Sequence, residues 1–518
     1  MRTIIPLMLI AALLFPSVSH GIPPEVIRSL MGRLDRWEVE DAWAEAREML
    51  LKDGKDSDLL ELASHVAFHR GDYQEALKLI RSAVERKGDD EKKKGFSLFV
   101  EETIGVTTPL KRYESAHFII SLDEKQDGIL ADYMTDALEM TYRVMADQYG
   151  FRPKEKVRIE VFPDAKGFYF ASTLSARDIE MGAVGLAQFN KLMVLSPRAL
   201  VHGYRWLDAI SHEYMHYLIL KLTANKAPIW FHEGLAKYEE SRWRSGPSYL
   251  SHLYESLLAR ALADQKLIAF EKMEPSVVTL ETPEEVQLAY AQAASAIEFI
   301  IAKAGHEGLR EIMKRMAANT DKGARESIRD VLGLEFEAFE ARWKEFLAKK
   351  GFRETDGANV RRYKIKEGKA DEERLEMEEI KSLVSRNRAH LGDLLKERGR
   401  VGAAVSEYRR ALADAPNSVP IMTRLSSVLG DLDRNEEALR ILKQAKELSP
   451  DHPTPHTHLG QIYLKLKDFK EAKNAFQESV QINPFNPDVH QGLARAYDML
   501  GEKSSALKER EIARRVTQ

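Results

Sequence analysis

Leu207-Asp208-Ala209-Ile210-Ser211-His212-Glu213-Tyr214-Met215-His216, followed by Pro228-Ile229-Trp230-Phe231-His232-Glu233-Gly234-Leu235-Ala236, is the stretch that decides the fold. Residues four apart share a helix face, so His212 and His216 can turn both imidazoles toward one metal ion. The helical period rotates Glu213 about 100° from His212, aiming it at a water beside the ion rather than at the ion. That is the general-base position of an HExxH motif. Catalytic zinc needs a third protein ligand and an open position. Glu233, on a second helix restarting at Pro228, is the candidate ligand. His65 and His69 are also four apart but lack both the following Glu and the downstream carboxylate element, and they read as helix-surface residues.

The pair of elements, with the second extended through Lys237-Tyr238-Glu239-Glu240, resembles the gluzincin peptidases, the group that includes thermolysin and aminopeptidase N. It is most similar to the compact peptidase MA-like domains. The resemblance implies zinc held by His212, His216 and Glu233, with Glu213 moving protons during peptide-bond hydrolysis. The family often has Asn or Asp where this chain has His232. In aminopeptidase N-like members a tyrosine at a similar helix entry faces the tetrahedral intermediate. The matching segment is Leu288-Ala289-Tyr290-Ala291-Gln292, which gives Tyr290 the role of oxyanion donor. A buried tyrosine satisfying a backbone carbonyl is the competing reading. Those relatives also read a free amine with an acidic Gly-x-Met-Glu-Asn loop. The corresponding stretch, Gly182 to Asn190, carries no acidic residue, which favours an endopeptidase.

Upstream of the motif, His117 to Ile120 and Val157 to Phe162 alternate as strands, with a helical pattern from Asp127 to Gln148 between them. The glycine-punctuated turn from Gly182 and the apolar strand ending at Leu195 resemble the substrate-edge strand of gluzincins, to which an extended peptide could add. An ordinary hairpin is the alternative.

Four segments near the C-terminus repeat with a period of 34, placing Gly392, Ser426, Gly460 and Ala494 at one position. Ala404, Ala438, Ala472 and Ala506 share a second, and Pro416, Pro450 and Pro484 close three units. Small residues let paired helices cross closely, so this is a tetratricopeptide array. Leu59 to Ala83 carries a similar pattern, turning at Gly71-Asp72-Tyr73, and Val26 to Leu51 a weaker copy. His452, His456 and His458 span a turn and helix start without ligand spacing and read as surface residues.

The expected organisation is a signal peptide over 1–20, a helical repeat-like segment over 21–110 and a catalytic domain over 111–350. A charged linker over 351–384 and an array of four repeats over 385–518 complete it. The class is α+β, mostly helical, with a zincin-like domain of a small sheet plus active-site helices.

Arg2, the apolar run Ile4 to Phe15 and the small residues around Ser19 form an export signal, with an uncleaved anchor as the alternative. No cysteine is present, so neither a disulfide framework nor a lipidated cysteine follows it. A net charge of −4 with mixed-sign charge runs gives no reason to expect a nucleic-acid partner, and no second long apolar run marks a membrane span. The sequence thus predicts an exported zinc endopeptidase, periplasmic or secreted, that binds a peptide or protein substrate and a protein partner through its repeats. Its rival is a noncatalytic envelope scaffold in which the zincin module is structural.

Overall fold

The structure, a computed structural model, describes residues 22–87, 90–244, 250–318, 323–355, 357, 360, 362–366 and 371–517. The export-signal expectation for 1–20 lies outside them. The described chain is mostly helical, with one small sheet. No helix in it is long and apolar enough to cross a membrane.

Helices α1 (Pro24–Asp35), α2 (Val39–Lys52), α3 (Ser57–Arg70), α4 (Tyr73–Arg86) and α5 (Glu91–Thr107) stack in sequence. Gly71 closes α3 at φ 90°, a left-handed cap that favours glycine, and α4 starts two residues later. His65 does not lie on the helix surface: it is buried, stacked on Phe96 with ring centroids 3.8 Å apart. The middle helix of a stack is covered on several sides, so polar residues on it mark no solvent face. His69 is half-buried, its ring edge-on to Phe189.

The sheet comprises β1 (Lys111–Glu114), β2 (Phe118–Leu122), β3 (Val157–Phe162), β4 (Gly185–Gln188) and β5 (Lys191–Leu195), in the order β1-β2-β3-β5-β4. Its inner pairs β2–β3 and β3–β5 are parallel, while β1 and β4 pair antiparallel at the two edges. Helix α6 (Leu130–Tyr149) carries the chain from β2 to β3. The apolar strand ending at Leu195 is β5, an interior strand buried throughout, and the edge strand is the half-buried β4. A strand covered on both faces reads as a continuous apolar run, which is why β5 stood out in sequence and β4 did not. The two strands join through Phe189 and Asn190, at φ 55° and 54°, a left-handed pair suited to a tight hairpin.

Helix α7 (Trp206–Thr223) packs on β4 and β5 and is buried over most of its surface. Ala224 and Asn225 turn the chain at positive φ into α8 (Ile229–Glu239). Then come α9 (His252–Ala263), α10 (Pro283–Ala318), which bends at Gly305, α11 (Ala324–Leu332) and α12 (Phe336–Lys349). Gly234 lets α8 press against α10, since a Cβ there would lie 2.5 Å from the Ala293 carbonyl oxygen.

The array consists of the pairs α13 (Leu383–Glu397) with α14 (Val401–Asp414), α15 (Val419–Asp431) with α16 (Asn435–Leu448), α17 (Pro453–Lys465) with α18 (Phe469–Ile482) and α19 (Pro487–Met499) with α20 (Lys503–Thr517). A Cβ on Gly392 would enter the Tyr408 ring, and one on Gly460 the Phe476 ring, so the repeated small position sets helix contact as the periodicity implied.

The array lies against the helices around α7. Arg205 pairs with Asp451 at 2.7 Å and Glu478 at 2.9 Å. Trp206 Nε1 donates to the Val480 carbonyl, and the Tyr204 amide to that of Ile482. Tyr133 donates to Glu509, which also meets His490. The charged connection is pinned as well. Ala199 and Val201 exchange backbone hydrogen bonds with Lys366 and Lys364, and a short helix follows at Asp371–Glu378.

Candidate metal centre and catalytic cleft

Helix α7 holds His212 and His216 one turn apart, their rings edge-on with centroids 4.7 Å apart. Helix α8 presents Glu233 to both. Glu233 Oε2 lies 3.3 Å from His212 Nε2 and 3.4 Å from His216 Nε2. A tetrahedral ion with bonds of about 2.0–2.1 Å separates its ligand atoms by about 3.3 Å, so this spacing fits zinc, and two imidazoles with one carboxylate are a zinc donor set. Each of the three side chains keeps a small window to solvent, between 12% and 16%.

His212 Nδ1 faces Glu240 Oε2 at 3.2 Å, so Glu240 holds a proton on Nδ1 and Nε2 is the nitrogen turned toward the metal position. Glu240 in turn pairs with Lys237, whose ammonium lies 4.5 Å from the Tyr254 ring centroid. Burial opposes charge on His212, but Glu233 and Glu240 outweigh it and raise its pKa to about 10 without metal. Glu233 is held well below the carboxylate range: burial pushes it up, and the two histidines more than offset that. His232 stays neutral, pushed down to about 3 by burial and by His216, with its ring 5.6 Å from that of His216.

Glu213 is buried beside the two histidines, with ligand-type atoms of all three within 4.8 Å of one another. Burial raises its pKa, and the histidines and the Ala187 amide of β4 counter the rise. Gly185, also on β4, comes close enough to the carboxylate to exclude a side chain. The Tyr290 ring stands edge-on to His212 with centroids 6.0 Å apart. Burial lifts the phenol pKa well above its ordinary value, followed by the charges of Glu233 and Glu213, so it remains a proton donor. Among the described residues no backbone carbonyl accepts from its hydroxyl. Asp208 in the first turn of α7 accepts from Trp243 at 2.9 Å and from Arg244, fixing the start of the helix.

The five residues read from sequence therefore converge on one place between α7, α8 and α10. Sequence reasoning passed over Glu240, although it follows Glu233 by seven positions and so falls on the same helix face. It also passed over Lys237, Tyr254 and Gln287, whose side-chain amide oxygen accepts from Tyr254 at 2.6 Å.

The sheet, the two-helix centre and the stacked repeats are those of a zincin-type domain joined to tetratricopeptide repeats. Residues 137–349 match the family model of the Peptidase MA superfamily, and residues 430–478 and 463–509 match the tetratricopeptide repeat. The chain carries a Peptidase MA superfamily domain followed by tetratricopeptide repeats.

Among solved structures, a MamA crystal structure is 22% identical over 26% of this chain and 73% of its own, with a TM-score of 0.24. MamA from Desulfovibrio magneticus RS-1 is 20% identical over 26% of this chain and 75% of its own, also with a TM-score of 0.24. No curated protein matches.

Proposed function

We propose that the chain is an exported zinc-dependent endopeptidase whose repeats hold a protein partner or substrate. The observation that carries this is the convergence of His212 Nε2 and His216 Nε2 on the same Glu233 oxygen, at 3.3 and 3.4 Å, with Glu213 beside them.

His212, His216 and Glu233 would hold the ion. Zinc supplies Lewis acidity there, polarising a carbonyl oxygen and acidifying water. Glu213 takes the proton from the attacking water at its carboxylate and returns it to the departing amine. Tyr290 donates a hydrogen bond to the developing oxyanion. Glu240 keeps the His212 ring in the tautomer that leaves Nε2 available. Edge strand β4 offers backbone groups along which an extended peptide can align, which suits cleavage within a chain.

The test is a chelator-sensitive peptide-library cleavage assay on the wild type, Glu213→Gln and His216→Ala. Cleavage by the wild type, lost in Glu213→Gln with zinc retained, is expected, and His216→Ala should lose cleavage together with zinc at this centre. Zinc-bound wild type that cleaves nothing would overturn the proposal in favour of a scaffold.

A further inference from the structure

A second cluster with a metal-type donor set lies in the seam between the catalytic domain and the array. His202, in the loop before α7, faces Glu379, which follows the Asp371–Glu378 helix, with Nε2 2.8 Å from Oε1. The His202 ring lies 4.3 Å, centroid to centroid, from that of His452, the N-cap residue of α17. Donor atoms of the three residues all lie within 4.8 Å of one another. His452 is buried at 1% exposure, and the side chains of His202 and Glu379 are 20% and 16% exposed, so the cluster is sheltered but reachable. The sequence expectation of surface histidines fails here because His202 and Glu379, both remote along the chain, pack beside His452 at the start of α17. His456 is buried too, donating to the Pro450 carbonyl at 2.9 Å.

We propose that His202, Glu379 and His452 form a zinc site that ties the array to the catalytic domain. Two imidazoles and a carboxylate suit zinc among the available divalent ions. The adjoining cavity, of about 80 Å³ and lined in part by Tyr363 and Asp451, has room for a water as fourth ligand. Zinc takes the unprotonated nitrogen of each ring, so loading competes with protons. The pair must then open from 2.8 Å to the roughly 3.3 Å edge of a tetrahedral site, a shift within the reach of side-chain rotation. Each ligand comes from a different segment: the loop leading into α7, the connection and the third repeat. An ion there closes a cross-link that hydrogen bonds alone hold more weakly.

The experiment counts zinc in the metal-stripped, zinc-reloaded full chain. Because the count is repeated in His216→Ala, it does not depend on the first centre or on any peptidase activity. The wild type should bind two ions per chain and His216→Ala one. Glu379→Gln in the His216→Ala background should bind none, and so should His452→Asn, which keeps a side chain able to cap α17. Circular dichroism on each variant establishes that the array remains folded, and Glu379→Gln, nearly isosteric, supplies the count if His452→Asn unfolds. Zinc-free His216→Ala protein overturns the proposal, as does an ion in His216→Ala that survives Glu379→Gln. Cobalt substitution gives a second readout: visible d–d bands of a four-coordinate ion in His216→Ala, lost on Glu379→Gln.

Discussion

Gly185 leaves no room for a side chain beside Glu213: a Cβ at that position would lie 2.4 Å from the carboxylate Oε1. Edge strand β4 therefore seats Glu213 directly, through this contact and through the Ala187 amide.

Gly185→Ala is expected to push the Glu213 carboxylate from its seat while leaving His212, His216 and Glu233 in place. A misplacement of about 1 Å costs about 10²-fold in turnover. Zinc content should stay at the wild-type value while kcat falls. Wild-type kcat in a folded Gly185→Ala protein would show that the strand does not position the base.

Glu240→Gln removes the carboxylate that fixes the His212 ring. Loss of such a partner typically weakens metal binding by 10–100-fold. Competition with a chelator of known affinity should report a loss in that range, with little change in fold. Unchanged affinity would mean that Glu240 serves only its pairing with Lys237.

Deleting residues 383–518 uncovers Trp206 and leaves Arg205 without Asp451 and Glu478. The shortened protein should unfold several degrees lower than the full chain or aggregate on purification. An unchanged thermal midpoint would show that the array is a passive appendage.

Acid should destabilise the protein through its buried histidines. Burial holds the pKa of His65 down to about 3, with Lys93 adding to the effect, and that of His456 down to about 4, against 6.5 for an ordinary imidazole. Both folded values are depressed, so between them and 6.5 the unfolded chain binds more protons. Stability is then lost as pH falls through that window, by at most about 1.4 kcal/mol per pH unit for each histidine. Denaturant titrations at about pH 7 and about pH 5 measure the slope. It should flatten in His65→Gln; an identical slope in that variant would assign the acid sensitivity elsewhere.

The candidate metal centre was legible because its information is local. His212 and His216 are one helical turn apart, and Glu233 sits on the next helix, so spacing nearly suffices to bring them together. The repeats were legible because each small residue recurs four times in register. Contacts between segments far apart in the chain left no such trace. Nothing in the composition around Arg205 separates a cation bound for Asp451 and Glu478 from one facing water. The burial of His65 and His452 depends on which helices and loops cover them, which no periodicity within their own helices encodes. Edge and interior strands changed places for a similar reason: β5 is apolar because neighbours cover both of its faces, and β4 is mixed because one flank lies open.

Arg205 and Trp206 grip the third repeat immediately before α7, and His212 follows Trp206 by six residues, about 9 Å along the axis. The third repeat is thus anchored at the first turn of the helix that carries both histidines, while the fourth is held separately through Tyr133 and Glu509. A displacement of the third repeat would therefore act directly on the start of the helix that carries His212 and His216.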